Sequence, residues 1–78
     1  MITLQYFASI KEFFTENELM DIKDQTISEL RQTLINKNPS CEGVLNSCRF
    51  AVDLSFVSDD YLINGNETIS IIPPAGGG

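Results

Sequence analysis

One stretch of this chain declares its conformation from local chemistry alone. Thr26 is followed three residues later by Glu29. This is the spacing of a capping box, in which hydroxyl and carboxylate satisfy free backbone N–H groups at a helix start. Behind it Ile27, Leu30, Leu34 and Ile35 recur at helical spacing, while Ser28, Arg31 and Gln32 fall on the other side. Asn38-Pro39 stops the run, because proline disfavours helical backbone in the residue before it. The sequence has 78 residues, which is one domain with no room for a second. A single amphipathic helix of about three turns must therefore bury its apolar stripe against whatever the flanking segments form.

Those segments read as strands. Ile2, Leu4 and Tyr6 alternate with Thr3, Gln5 and Phe7, the period of a strand that begins almost at the first residue. Ser9 to Phe14 is a short helical turn or a loop. Glu18 to Ile22 alternates again and predicts a second strand, with Leu19 inward together with Met20 or Ile22. Beyond the helix, Pro39 to Ser47 is a connection in which Val44 and Leu45 plug the end of the core. Phe50-Ala51-Val52 predicts a short buried strand, and Leu54 to Val57 a second extended piece after a turn near Asp53. Tyr61-Leu62-Ile63 anchors a loop, Asn64-Gly65 is a turn signal, and Thr68 to Ile72 forms the last strand. The order is strand, strand, helix, short strands, final strand. One helix laid across one face of a mixed sheet covers that face economically. The predicted class is therefore α+β, a β-grasp domain over residues 1–72 with its first and last strands side by side at the sheet centre, followed by an extended tail over 73–78.

Charge and composition narrow the function. The net charge is −6 with only five Lys and Arg, which argues against nucleic acid, whose phosphates need basic partners. An acidic surface suits solubility or docking to a basic protein. No apolar run approaches the roughly 20 residues of a membrane span, and the first residues lack a basic segment followed by an apolar stretch, so the expected location is the cytoplasm. Cys41 and Cys48 match no zinc or redox spacing and the sequence has no histidine, so they are expected as free thiols, and no metal or bound cofactor is expected. There is no paired general acid and base, no Ser-His or Cys-His arrangement and no phosphate loop. Arg49, Asp53 and the pair Asp59-Asp60 read as solvated charges.

The chemistry is expected at the end of the chain, Ile72-Pro73-Pro74-Ala75-Gly76-Gly77-Gly78. Pro73 and Pro74 cannot donate ladder hydrogen bonds, so they end the strand and send the chain away in a stiff extended form. Beyond them no side chain is larger than methyl. Fully extended, Pro73 to Gly78 reaches roughly 20 Å, a thin arm able to thread a channel too narrow for side chains. Its reactive group would be the α-carboxylate of Gly78, with no Cβ to obstruct an activating group. Three terminal glycines on their own are equally what a frayed chain end looks like.

These segments resemble the small subunit of molybdopterin synthase, a ubiquitin-like sulfur carrier family, over essentially the whole chain. Leu4-Gln5-Tyr6-Phe7-Ala8-Ser9 is similar to that family's opening strand and turn. Phe50-Ala51-Val52-Asp53 resembles its middle strand, which more often ends in Asn. Ile63-Asn64-Gly65-Asn66-Glu67 lies where the family has an acidic Asp-Gly-Asp-Glu turn, and Ile71-Ile72-Pro73-Pro74 followed by four residues ending Gly77-Gly78 matches its terminus. Gly76 stands where a small polar residue or alanine is usual, which loosens the arm.

The resemblance implies that a ubiquitin-activating-like adenylyltransferase and sulfurtransferase consumes ATP to adenylate Gly78, which then becomes a thiocarboxylate. It also implies that Pro73, Pro74, Ala75, Gly76 and Gly77 thread into the large synthase subunit, which supplies the catalytic residues. Sulfur then passes to a cyclic pyranopterin phosphate to build the molybdopterin dithiolene, within a heterotetramer. Phe7, Phe56 and Ile72 are implied as apolar docking contacts, and the domain alone is not an enzyme. The rival carrier of thiamine synthesis shares the Gly-Gly end but usually lacks Pro-Pro. A ubiquitin-like modifier conjugated through Gly78 and a binding module with an inert tail are the remaining readings.

Overall fold

The computed structural model describes residues 1–14, 17–22 and 24–74. Helix α1 spans Ile27–Lys37 and begins at the capping box: the Thr26 hydroxyl accepts the Glu29 N–H at 3.2 Å, and the Glu29 carboxylate accepts the Thr26 N–H at 2.8 Å. Such a cap is worth about 1 kcal/mol. The next two helical N–H groups, which have no partner within a helix, are taken by a distant loop. Ile27 donates to the Tyr61 carbonyl at 3.1 Å and Ser28 to the Asp59 carbonyl at 2.9 Å. Tyr61–Ile63 thus anchors a loop, as expected, and Ile63 is buried beside it with its N–H on the Gln25 carbonyl at 2.7 Å. At the other end the Asn38 N–H bonds back to the Leu34 and Ile35 carbonyls before Pro39.

The sheet has five strands, β1 (Ile2–Tyr6), β2 (Asn17–Met20), β3 (Arg49–Val52), β4 (Ser55–Val57) and β5 (Thr68–Ile72), in the order β2-β1-β5-β3-β4. β1 and β5 pair in parallel at the centre, with Leu4 opposite Ile69 and Tyr6 opposite Ile71, and every other pair is antiparallel. This is the β-grasp arrangement. A parallel pair needs a long crossover, and here the intervening chain supplies it with α1. Ile2, Leu4 and Tyr6 of β1, Ile69 and Ile71 of β5 and Phe50 of β3 are buried against Ile27, Leu30 and Leu34 of α1. Burial of each such side chain contributes about 1.5–3 kcal/mol.

Two expectations need correction. The second strand is Asn17–Met20, not Glu18–Ile22, and Leu19 points outward at 66% exposure. Its partner is Thr3, whereas Glu18 lies opposite the inward Leu4. The inner position on this edge strand is held by a carboxylate because its hydrogen bonds are met: Tyr6 donates its hydroxyl at 2.8 Å and Lys37 of α1 its ammonium at 2.6 Å. Burial pushes the Glu18 carboxyl up, but the bonds from Lys37 and Tyr6 outweigh it and hold it below its ordinary value. Burial, then Glu18 itself, pushes the Tyr6 phenol up. The polar turn also sits one residue later than expected, at Gly65-Asn66, with the Glu67 carboxylate accepting the Asn64 N–H at 2.8 Å.

The connection after α1 is more ordered than its sequence suggests. A 3₁₀ turn at Pro39–Cys41 leads into a short helix α2 (Glu42–Ser47), in which Leu45 is buried and Val44 packs on the core. Cys41 and Cys48 are free thiols inside that core. Burial pushes both up, Cys48 to about 11 against the opposing effect of Arg31, so both stay un-ionised near neutrality.

The β3–β4 hairpin closes through Asp53 and Leu54 at φ 48° and 74° between the paired residues Val52 and Ser55. Positive φ at both central residues is the backbone of a type I′ turn, which favours glycine in the second place. Leu54 is 97% exposed there, so it buries nothing in return for its strain. Leu54→Gly is expected to raise stability in urea by about 1 kcal/mol. A second outcome concerns Glu18. Because its folded value is lowered, its contribution is present above the ordinary carboxylate value of 4.5 and lost as pH falls through the lowered folded value. Glu18→Gln should therefore cost about 1 kcal/mol at pH 7, with the gap to wild type closing at low pH in urea titrations.

Candidate functional site

The end of β5 is where the chain leaves the sheet. Pro73 is half-buried and Pro74 exposed, and neither has an N–H to extend the ladder. Since β1 runs parallel to β5, the residue that follows β1 arrives at the same end: Phe7 donates its N–H to the Ile71 carbonyl at 3.2 Å. Strand alternation puts Phe7 on the face opposite Tyr6, away from α1, where it is 44% exposed. The next residue, Ala8, has φ 54° and turns the chain into the 3₁₀ segment Ala8–Glu12.

Register builds the rest of this outer face. Ile72 lies opposite Arg49, and one step back Gln5, Ser70, Ala51 and Phe56 form a row across four strands. The small residues Ser70 and Ala51 in that row leave Phe56 standing 53% exposed at its edge. Phe7, Phe56 and half-buried Ile72 therefore share one face at the end from which Pro73-Pro74 departs. A groove of about 350 Å³ lined by Gln5, Tyr6, Phe7, Lys11 and Asn17 opens on the β1–β2 side of this end, beside Phe7. Exposed apolar side chains gathered this way mark partner surfaces. Ala75, Gly76, Gly77 and Gly78 lie outside the described residues.

Sequence reasoning missed Arg49. It belongs to this face, with its guanidinium carbon 3.9 Å from the centroid of the Phe56 ring. The pairing that joins Arg49, Ile72 and Phe56 is non-local, and the available signal was the opposite parity of Arg49 to the buried Phe50. Asp59 and Asp60 are exposed and tied to neighbours, Asp59 to Arg31 at 2.5 Å and Asp60 to the Ser58 hydroxyl. Among the described residues no group of three His, Cys, Asp or Glu could hold a metal ion. The face presents apolar surface with Arg49 beside Phe56 and Lys11 in the groove beside Phe7, which suits docking.

Comparison with known proteins extends these observations. No curated protein sequence matches the chain. Among solved structures it is similar to SAMP1 from Haloferax volcanii, at 16% identity over 99% of this chain and 98% of that one with a TM-score of 0.79. It is similar to a putative molybdopterin converting factor subunit 1 from Pyrococcus furiosus, at 14% identity over 95% and 97% with a TM-score of 0.80. It also matches a chain in the complex of subunits 1 and 2 of molybdopterin-converting factor from Helicobacter pylori 26695, at 23% identity over 99% and 97% with a TM-score of 0.68. At these identities the likeness establishes the ubiquitin-like β-grasp fold. The family follows from sequence: the model of the ThiS family matches residues 4–78, and the chain belongs to that family.

Proposed function

We propose that this chain is a sulfur carrier that works as the small subunit of molybdopterin synthase, carrying sulfur as a thiocarboxylate on Gly78. The observation that carries the reading is the shared end of the sheet: Pro73-Pro74 depart beside Phe7, Ile72 and Phe56. A partner that docks on those side chains receives the arm in its own interior. Membership of the ThiS family fits a ubiquitin-like sulfur carrier. The Pro73-Pro74 pair favours the molybdenum pathway over thiamine synthesis, and one structural relative is a complex of two molybdopterin-converting subunits.

The chemistry requires an activated carboxylate, because oxide does not leave. An activating enzyme joins the Gly78 carboxylate to the α-phosphate of ATP and releases pyrophosphate. A sulfide-level sulfur then attacks the acyl carbon and displaces AMP, leaving the thiocarboxylate. In the large subunit the sulfur passes to a cyclic pyranopterin phosphate, two loaded carriers serving one dithiolene, and the carrier returns with its carboxylate restored. This chain supplies the arm and the docking face, and the large subunit supplies the catalytic groups. Two large subunits with a carrier at each end form the working assembly, placed in the cytoplasm; no helix among the described residues is long and apolar enough to cross a membrane.

The direct test is reconstitution with carrier bearing a preformed thiocarboxylate. Large subunit and cyclic pyranopterin phosphate should yield molybdopterin, consuming two carriers per product, and removal of Gly77 and Gly78 should abolish the yield. Sulfur transfer to the thiazole-forming synthase of thiamine synthesis, with none to the large subunit, would assign the chain to that pathway instead. A ladder of heavier conjugates in cell extract, lost without Gly78, would assign it as a protein modifier.

A further inference from the structure

Charge is distributed unevenly over this molecule. The net charge is −6, yet the five strands contain one carboxylate, Glu18, and it faces α1. The outer face of the strands carries no acid, and its one charged strand residue is Arg49. The overall negative charge would suggest a basic partner. The face beside the arm has the opposite character.

The two arginines that flank β3 are a natural comparison. Arg31 of α1 lies over Phe50, at 4.9 Å from the ring centroid, and its guanidinium is committed to the fold through Asp59 at 2.5 Å and the Cys48 carbonyl at 3.1 Å. Arg49 lies over Phe56, closer at 3.9 Å, and among the described residues its side chain makes no ion pair or hydrogen bond. Stacking on an aromatic ring restricts the side chain and leaves the in-plane N–H donors available. A planar guanidinium held in this way suits bidentate recognition of a carboxylate, where a mobile ammonium would not.

We propose that Arg49, held over Phe56, is the recognition point for a carboxylate on the protein that receives the C-terminal arm. The partner's docking surface is then apolar opposite Phe7 and Ile72 and acidic opposite Arg49. The proposal rests on the sulfur-carrier reading and adds the chemistry of the partner surface. Arg49 lies directly opposite Ile72 in the ladder, so a carboxylate bound there sets the partner's position at the root of the arm.

The test is calorimetric binding of the full chain, as wild type, Arg49→Lys and Arg49→Glu, to the large synthase subunit and, separately, to the activating enzyme. Each variant is first checked for an unchanged melting temperature. Arg49→Lys should weaken binding about 10-fold and Arg49→Glu about 100-fold, and added salt should weaken wild type and Arg49→Lys but narrow the deficit of Arg49→Glu. Wild-type affinity of Arg49→Glu for every protein that wild type binds overturns the proposal. So does a weakening that disappears when the C-terminal carboxylate is amidated, since the chain's own carboxylate would then be the occupant. If wild type binds the activating enzyme alone, the synthase assignment fails while the Arg49 comparison is still read against that enzyme. If wild type binds neither, both fail.

Discussion

The parallel pairing of β1 with β5 at the centre of the sheet is the constraint on which the rest of this molecule depends. Its ladder joins the first strand of the chain to the last, from Thr3 opposite Thr68 to Tyr6 opposite Ile71. Parallel neighbours cannot be joined by a tight turn, so the chain between them must cross from one end of the sheet to the other, and α1 covers the inner face on the way. The same pairing brings the ends of both strands to one edge. Phe7 and Pro73 come together there because the two strands run the same way. Antiparallel pairing would have sent Phe7 to the far end, and the exposed aromatic and the start of the arm would have been separated by the length of the sheet.

Polar groups secure the periphery of this frame. Glu18 on the edge strand gathers Tyr6 and Lys37, tying β2 to β1 and to α1. Arg31 ties α1 to the loop before Tyr61 and to the residue preceding β3. The loop in turn supplies carbonyls to the first N–H groups of α1. These contacts use side chains and backbone groups on the helix side of the sheet. The outer side of the strands carries no acidic residue, with small residues Ser70 and Ala51 in its middle and Phe7, Ile72, Phe56 and Arg49 toward the end where the arm begins.

Much of the fold was legible because local chemistry agreed with global need. The capping box at Thr26 and Glu29, the stop at Asn38-Pro39, the alternation of Ile2, Leu4 and Tyr6, and the last strand at Thr68–Ile72 all appear where the sequence places them. Where reading failed, a non-local partner decided the outcome. Leu19 points outward because Glu18 has a hydroxyl and an ammonium waiting on the inner side, and no property of the strand itself reveals them. The six residues of α2 are too short to announce a helical period. Arg49 looked like an ordinary surface charge until register set it beside Ile72 and over Phe56. Gly78, on which the proposed chemistry turns, was legible as sequence alone.

Sulfur-carrier chemistry in this chain turns on the carboxylate of Gly78. The most direct measurement is the intact mass of the chain after incubation with ATP, an activating enzyme of verified activity and a sulfur donor. A sulfur carrier should show replacement of one oxygen by sulfur, mapped by fragmentation to Gly78 and reversed when large subunit and pterin precursor are added. An unchanged mass under those conditions would contradict that role.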